Sequence, residues 1–232
     1  MRGVAGIAIP PIVLPVIHYA DDNQAMRNAE RAIDAGCAGV MLIEMGGRNA
    51  GLSFIASAIK RRWPDRHVGV NRLAEGAWSA LAANCDAGLD STWTDDQLTH
   101  SGGALTMEAS RTARLLESAA PHQMFCAVAF KYQPHEPDPA DAAARAVALG
   151  FIPTTSGPST GVAPDLVRFE RMRALIGPRS LLAIASGITP ENAAVFAPHV
   201  SHILVSTGVS ASFHEFDPVR LRSLVQATQV SA

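Results

Sequence analysis

Five polar residues of complementary character are spread through the first 131 positions of this chain: His18, Glu44, Asn71, Asp95 and Lys131. Each stands at or just after the end of a short apolar run. A base, two acids, an amide and an ammonium are enough for general acid/base chemistry: Glu44 or Asp95 moves a proton, and Lys131 stabilises developing negative charge. The last third of the chain carries a second kind of signal. Its apolar runs close on a hydroxyl residue followed by glycine, at Thr155-Ser156-Gly157, Ser186-Gly187 and Thr207-Gly208. Such steps, read as strand-to-helix turns, offer backbone N–H groups, a hydroxyl and the positive end of a helix, which suit a phosphate group.

For these residues to act together, the chain has to bring the ends of many apolar runs to one face. Short apolar runs alternate with helical patterns through eight cycles. The expected strands are Val13 to His18, Gly39 to Glu44, His67 to Asn71, Leu89 to Thr94 and Met124 to Phe130, then the three runs that close on the hydroxyl–glycine steps. The expected helices are Asp22 to Ala35, Leu52 to Arg62, Glu75 to Asn84, Thr106 to Ala119, Pro139 to Leu149, Asp165 to Ile176, Pro190 to Phe196 and Pro218 to Thr228. Asp22 is the expected N-cap of the first helix and Gly36 the residue beyond its end. The strands are apolar rather than alternating, as befits a parallel sheet covered on both faces. Eight βα units predict an α/β fold: a single-domain (β/α)8 TIM barrel over residues 1–232. An open doubly wound sheet is the competitor, and it gives no reason for the count of eight.

Composition bounds the function. The chain has 232 residues, 48% hydrophobic and 17% charged, which supplies a large core and excludes disorder. A net charge of −2 gives no footprint for nucleic acid. Lys60-Arg61-Arg62 reads as the basic end of a helix. Cys37, Cys85 and Cys126 form no CxxC pair and read as free thiols in a reducing cytoplasm. The apolar run Val4 to Ala20 contains Pro10, Pro11 and Pro15 and reads as a leading segment plus the first strand, neither signal peptide nor membrane span. No dinucleotide fingerprint follows any strand, and no cofactor is expected. His18, Glu44 and Asp95 could converge on a metal, but separate strands carry them and no metal is expected. Self-association is expected on general grounds.

The segment Ala185-Ser-Gly-Ile-Thr-Pro-Glu-Asn192 and the later Val205-Ser-Thr-Gly208 resemble the ribulose-phosphate-binding barrel superfamily, which includes phosphoribosylanthranilate isomerase, indole-glycerol-phosphate synthase and thiamine-phosphate synthase. With Val16-Ile-His18 and Ala35-Gly-Cys-Ala-Gly-Val40, the whole chain is most similar to the BtpA/SgcQ family. The resemblance implies a barrel that holds a phosphate after its seventh and eighth strands. The anthranilate isomerase activity is not carried over, because its Cys and Asp pair has no clear counterpart.

Three functional readings follow. In the first, the protein is an enzyme acting on a phosphorylated sugar or ribonucleotide-like molecule by isomerase, lyase or glycosidic C–N cleavage chemistry. Glu44, Asp95, Lys131 and His18 would be catalytic, and Asn71, Thr155, Ser156, Gly157, Ser186, Gly187, Thr207 and Gly208 would bind substrate. In the second, Lys131 forms a Schiff base in an aldolase-like lyase. In the third, the barrel is a non-catalytic assembly or regulatory factor that binds a phosphorylated effector. His100 on a glycine-containing loop is a candidate lid residue, and His214 reads as a surface residue near the last helix.

Overall fold

Alternation along each strand decides which side chains fill the barrel and which meet the helices. In the computed structural model, which describes residues 9–47 and 49–229, the strands are β1 (Ile12–His18), β2 (Gly39–Ile43), β3 (His67–Asn71), β4 (Ser91–Thr94), β5 (Gln123–Ala127), β6 (Ile152–Thr155), β7 (Ala183–Ala185) and β8 (His202–Val205). They pair in sequence order, all parallel, and β8 closes on β1, with Ile12 opposite His202 and Pro15 opposite Val205. The part of the leading segment from residue 4 to residue 8 lies outside the described residues. Leu14, Val16, Met41, Ile43, Trp93, Phe125, Ala127, Ile152, Ala183, Ala185 and Leu204 point inward and form one packed cluster. Their neighbours Val13, Ile17, Val40, Leu42, Val68, Val70, Ile184 and Ile203 face the helices in a second, larger one.

The helices are α1 (Asp22–Asp34), α2 (Leu52–Arg62), α3 (Ala77–Asp86), α4 (Met107–Ser118), α5 (Pro139–Ala148), α6 (Leu166–Ile176), α7 (Ala193–Phe196) and α8 (Pro218–Gln229). Their inner faces are rich in alanine: Ala25, Ala29 and Ala32 on α1, and Ala142, Ala143 and Ala146 on α5, are all fully buried. Small side chains let the helix axes lie close to the strands, so Ala29→Leu would overpack the interface and cost about 1–3 kcal/mol. Side-chain caps fix the starts of five of these helices: Asp21, Thr106, Asp138, Asp165 and Asp217 each accept a backbone N–H from the first turn.

Several expected boundaries differ, each for a physical reason. Asp21, not Asp22, caps α1, because the extended backbone at 21 turns its carboxylate onto the Gln24 N–H at 2.9 Å. Glu75 stays outside α3 and pairs with Arg72 at 3.0 Å. β5 ends at Ala127 rather than Phe130, since Ala129 adopts φ +48 and turns the chain out of the sheet. α7 begins at Ala193 rather than Pro190, and it has only four residues. After β8 the chain makes a three-residue 3₁₀ turn and then a hairpin of β9 (Ser210–Ser212) and β10 (Glu215–Phe216) before α8. The hydroxyl–glycine steps therefore do not run directly into full helices as the sequence suggests.

Candidate functional site

Because all eight strands are parallel, His18, Asn71 and Thr155 end their strands on one rim, and Glu44, Asp95, Ser156 and Ser186 follow immediately beyond it. On the acid–base side, Asn71 and Asp95 form a pair: the Asn71 Nδ2 donates to Asp95 Oδ1 at 3.0 Å. Burial pushes the Asp95 carboxyl up from the ordinary range, against the opposing pull of Asn71 and of the Lys131 ammonium. Gln133 donates to the Asp95 carbonyl at 2.8 Å, tying the β5 loop to the β4 end.

Lys131 lies four residues beyond β5, in a loop whose Ala129 and Tyr132 both take left-handed φ, +48 and +64. That turn reaches back over the rim. The Lys131 N–H donates to Ser156 Oγ at 2.8 Å, and its Nζ donates to Thr160 Oγ1 at 3.2 Å. Burial pulls its pKa down from the ordinary amine value, and Asp95 is the carboxylate whose charge opposes that shift. A cavity of about 430 Å³ borders this loop, lined by Phe130, Lys131, Tyr132, Gln133, Gly157 and Arg168 among others. Arg168 bridges its walls by donating to the carbonyls of Ala129 and Ser156 at 3.3 and 3.2 Å.

His18 stands at the β1 end. Burial holds its imidazole below the usual value, and the nearby His214 and Lys131 act in the same direction. Its ring lies 4.3 Å from that of Phe213, at the tip of the β9–β10 hairpin. His214 is exposed, as expected of a surface residue, and sets its Nδ1 3.0 Å from the His18 carbonyl. Asn28 of α1 accepts the Phe216 N–H at 2.9 Å and so pins the hairpin over the β1 end. Glu44 turns back on its own loop and accepts the Gly46 N–H at 3.0 Å.

Farther round the same rim the hydroxyl–glycine steps play different parts. Thr155 and Ser156 are fully buried. The Ser156 hydroxyl accepts from Lys131 and donates to the Gly157 carbonyl at 2.9 Å, so its bonding capacity serves the loops. Ser186 is only partly buried and holds φ +85, a left-handed conformation that costs a non-glycine residue on the order of 1 kcal/mol. Its Oγ accepts the Gly161 N–H at 3.3 Å. Gly187 follows at φ +74, where a Cβ would lie 2.3 Å from the Val162 carbonyl oxygen. The backbone after β6 is folded onto the β7 turn, and that contact demands glycine independently of any ligand. Among the described residues, the Gly187 and Ile188 N–H groups meet no backbone or side-chain acceptor, while Asn192 ties the turn by donating to the Gly187 carbonyl at 2.8 Å. Thr207 is exposed beside it.

Phe213 and Trp93 belong to this rim but lacked a sequence signal. Phe213 sits in a polar stretch without hairpin glycine, and Trp93 reads as one more apolar strand residue. Glu136 was equally hidden. It is buried at 4% exposure and accepts from Gln97 at 2.6 Å, from Ser101 through both N–H and hydroxyl, and from the Asp138 N–H at 3.1 Å. His100 lies 3.4 Å from the same carboxylate, so it locks the β4 and β5 loops together rather than lying free as a lid. Among the described residues, no group of three or more His, Cys, Asp or Glu is placed to hold a metal ion, and no helix is long and apolar enough to cross a membrane.

No protein-family model matches the chain, and no curated protein matches it by sequence. Its fold matches many solved structures. Phosphoribosyl anthranilate isomerase from Thermus thermophilus superposes with a TM-score of 0.66 at 17% identity, over 95% of this chain and 99% of that one. A structure described as native KDPGal gives 0.70 at 14% identity over 94% and 95%, and KGPDC from Streptococcus mutans gives 0.67 at 11% identity over 96% and 99%. At these identities the likeness shows the (β/α)8 barrel fold.

Proposed function

We propose that the protein is an enzyme acting on a small phosphorylated sugar or ribonucleotide-like substrate, by isomerase, lyase or C–N cleavage chemistry at the C-terminal face of the barrel. The observation that carries this reading is the convergence of a half-buried, Asn71-bound Asp95 and the half-buried Lys131 ammonium, whose charges act on each other, on the same rim as the strained Ser186-Gly187 turn. The phosphate would take the Ser186 hydroxyl, the Gly187 and Ile188 N–H groups and Thr207-Gly208, with the loop from Ser156 to Gly161 closing beside it. Two backbone donors and two hydroxyls suit a dianion, and this anchor would hold the reacting carbon over the mouth. Asp95, whose carboxyl burial pushes up from the ordinary range, would move the proton, and Lys131 would stabilise the oxyanion that develops. His18, kept neutral by burial, and Glu44 would assist from the β1 and β2 ends.

The name of one structural neighbour agrees with this reading, since it is a phosphoribosyl anthranilate isomerase. We place the chain among BtpA/SgcQ-like barrels of the ribulose-phosphate-binding type, as a cytoplasmic enzyme able to self-associate. The test is turnover of a panel of sugar phosphates by the wild type and by Asp95→Asn. Turnover that survives Asp95→Asn within twofold would refute the assignment of the base.

A second reading is favoured by one observation, the depressed Lys131 amine beside Phe130, with Nζ 5.8 Å from the ring centroid. A neutral amine there could attack a carbonyl carbon and expel water, forming a Schiff base. Borohydride with an aldehyde or ketone substrate would leave a mass adduct on Lys131. No adduct removes this reading and leaves the first intact.

A further inference from the structure

On the β3–β4 side of the mouth, two polar side-chain atoms are buried without partners. Asn71 and Trp93 are register neighbours on adjacent strands. Both side chains point into the barrel, since Val70 packs in the helix-facing core and Thr92 bonds to Asn84 and His122 on the helix side. Asn71 is 1% exposed and Trp93 7%. The amide nitrogen of Asn71 is engaged by Asp95, so its Oδ1 is left over. An edge contact with Phe130, ring centroids 6.1 Å apart at 74°, holds the indole. Asn71 Oδ1 and Trp93 Nε1–H have no hydrogen-bond partner. A buried acceptor and a buried donor left unpaired each oppose folding, and a leucine and a phenylalanine would fill the same space without that penalty.

We infer that Asn71 Oδ1 and Trp93 Nε1–H form a hydroxyl-binding subsite for the non-phosphate end of the substrate, which is therefore a sugar or polyol phosphate. A hydroxyl is the simple group that donates to the first atom and accepts from the second. A carboxylate or ketone only accepts, and an ammonium only donates, so each would leave one of the two atoms unpaired. The bound hydroxyl sits beside Asp95, whose carboxyl is bonded to the same amide, so the carbon that carries it is the one presented for proton transfer. The inference rests on the phosphate reading of the preceding subsection.

The test uses three probes: inorganic phosphate, n-pentyl phosphate and ribose 5-phosphate. Binding is followed by the indole N–H resonances of the three tryptophans in ¹⁵N-labelled protein. The Trp93 signal is identified by its absence in Trp93→Phe, or by elimination with Trp63→Phe and Trp78→Phe if that variant fails to fold. Ribose 5-phosphate is expected to move the Trp93 signal and to bind roughly tenfold tighter than pentyl phosphate, the weight of one or two hydrogen bonds. Trp93→Phe and Asn71→Leu should abolish that preference and leave the affinity for inorganic phosphate unchanged. Equal binding of both esters with a stationary Trp93 signal means that trapped water serves the two atoms; the inference then falls while the phosphate reading stands. Failure of all three probes to bind overturns the phosphate reading and this inference with it.

Discussion

Replacing Gly187 by alanine separates two roles that the β7 turn combines. The new methyl would meet the Val162 carbonyl oxygen at 2.3 Å, its carbon at 2.4 Å and the Ala163 Cα at 2.5 Å. All three are backbone atoms, so no rotamer change relieves the contact. The left-handed φ of +74 adds a second penalty. Gly88, just beyond the end of α3, is a control for that penalty alone: its φ is +69, and nothing lies within 4 Å of an added Cβ. Gly88→Ala should therefore cost about 1 kcal/mol, the left-handed term by itself. Gly187→Ala should cost that plus about 1–3 kcal/mol of overpacking, or about 3 kcal/mol in total. For a chain of this size that corresponds to a fall in Tm of roughly 6–12 °C. Urea titrations of the wild type and both variants at one pH measure the difference. If Gly187→Ala unfolds within about 0.5 kcal/mol of Gly88→Ala, a margin comparable to the scatter of surface substitutions, the loop after β6 is not packed on the β7 turn.

Other outcomes follow from the buried charges. Burial raises the Asp95 carboxyl, so the folded state binds that proton more tightly than the unfolded chain; the stability this supplies at low pH is lost as pH rises through the folded pKa. Asp95→Asn should accordingly be as stable as wild type or more so at pH 7, with the advantage shrinking towards pH 4, while turnover drops by about 10²- to 10⁴-fold. At the opposite end of the barrel, burial holds His67 near pKa 4 and His202 near 3. Both lie below the unfolded value, so the stability is present above about pH 6.5 and falls beneath it, by about 2 kcal/mol per ring at pH 5. His202→Asn should reduce the acid slope of the urea midpoint by one proton. Glu136→Gln should cost about 1–3 kcal/mol and open the β4 and β5 loops to limited proteolysis, since four donors lose their anion.

The barrel was legible because its determinants are local and repeated. Apolar runs such as Gly39 to Ile43 are too short for helices, and the helical patterns expected from Thr106, Pro139 and Asp165 begin within one residue of the observed α4, α5 and α6. The rim residues were legible for the same reason: a residue that ends a parallel strand must lie on that face. What sequence left open depends on contacts between distant segments. Asp21 and Asp22 are equally good caps until the backbone at 21 is known to be extended. Ser156 resembles Ser186 in sequence, yet Lys131 and Gly157 consume the hydroxyl of one while the other is turned out by a strained φ. The hairpin that lays Phe213 over His18 is held by Asn28 across 188 positions of chain, a separation that no local pattern encodes.

If the β7 and β8 turns hold a phosphate while Asp95 and Lys131 carry the chemistry, an amide ¹H–¹⁵N titration of the whole protein with inorganic phosphate will show it. Saturable shifts led by Gly187, Ile188 and Gly208 are expected, and their loss in Gly187→Ala under conditions where that variant is folded. Shifts that fail to saturate, or that centre on the helical surface away from this rim, would contradict it.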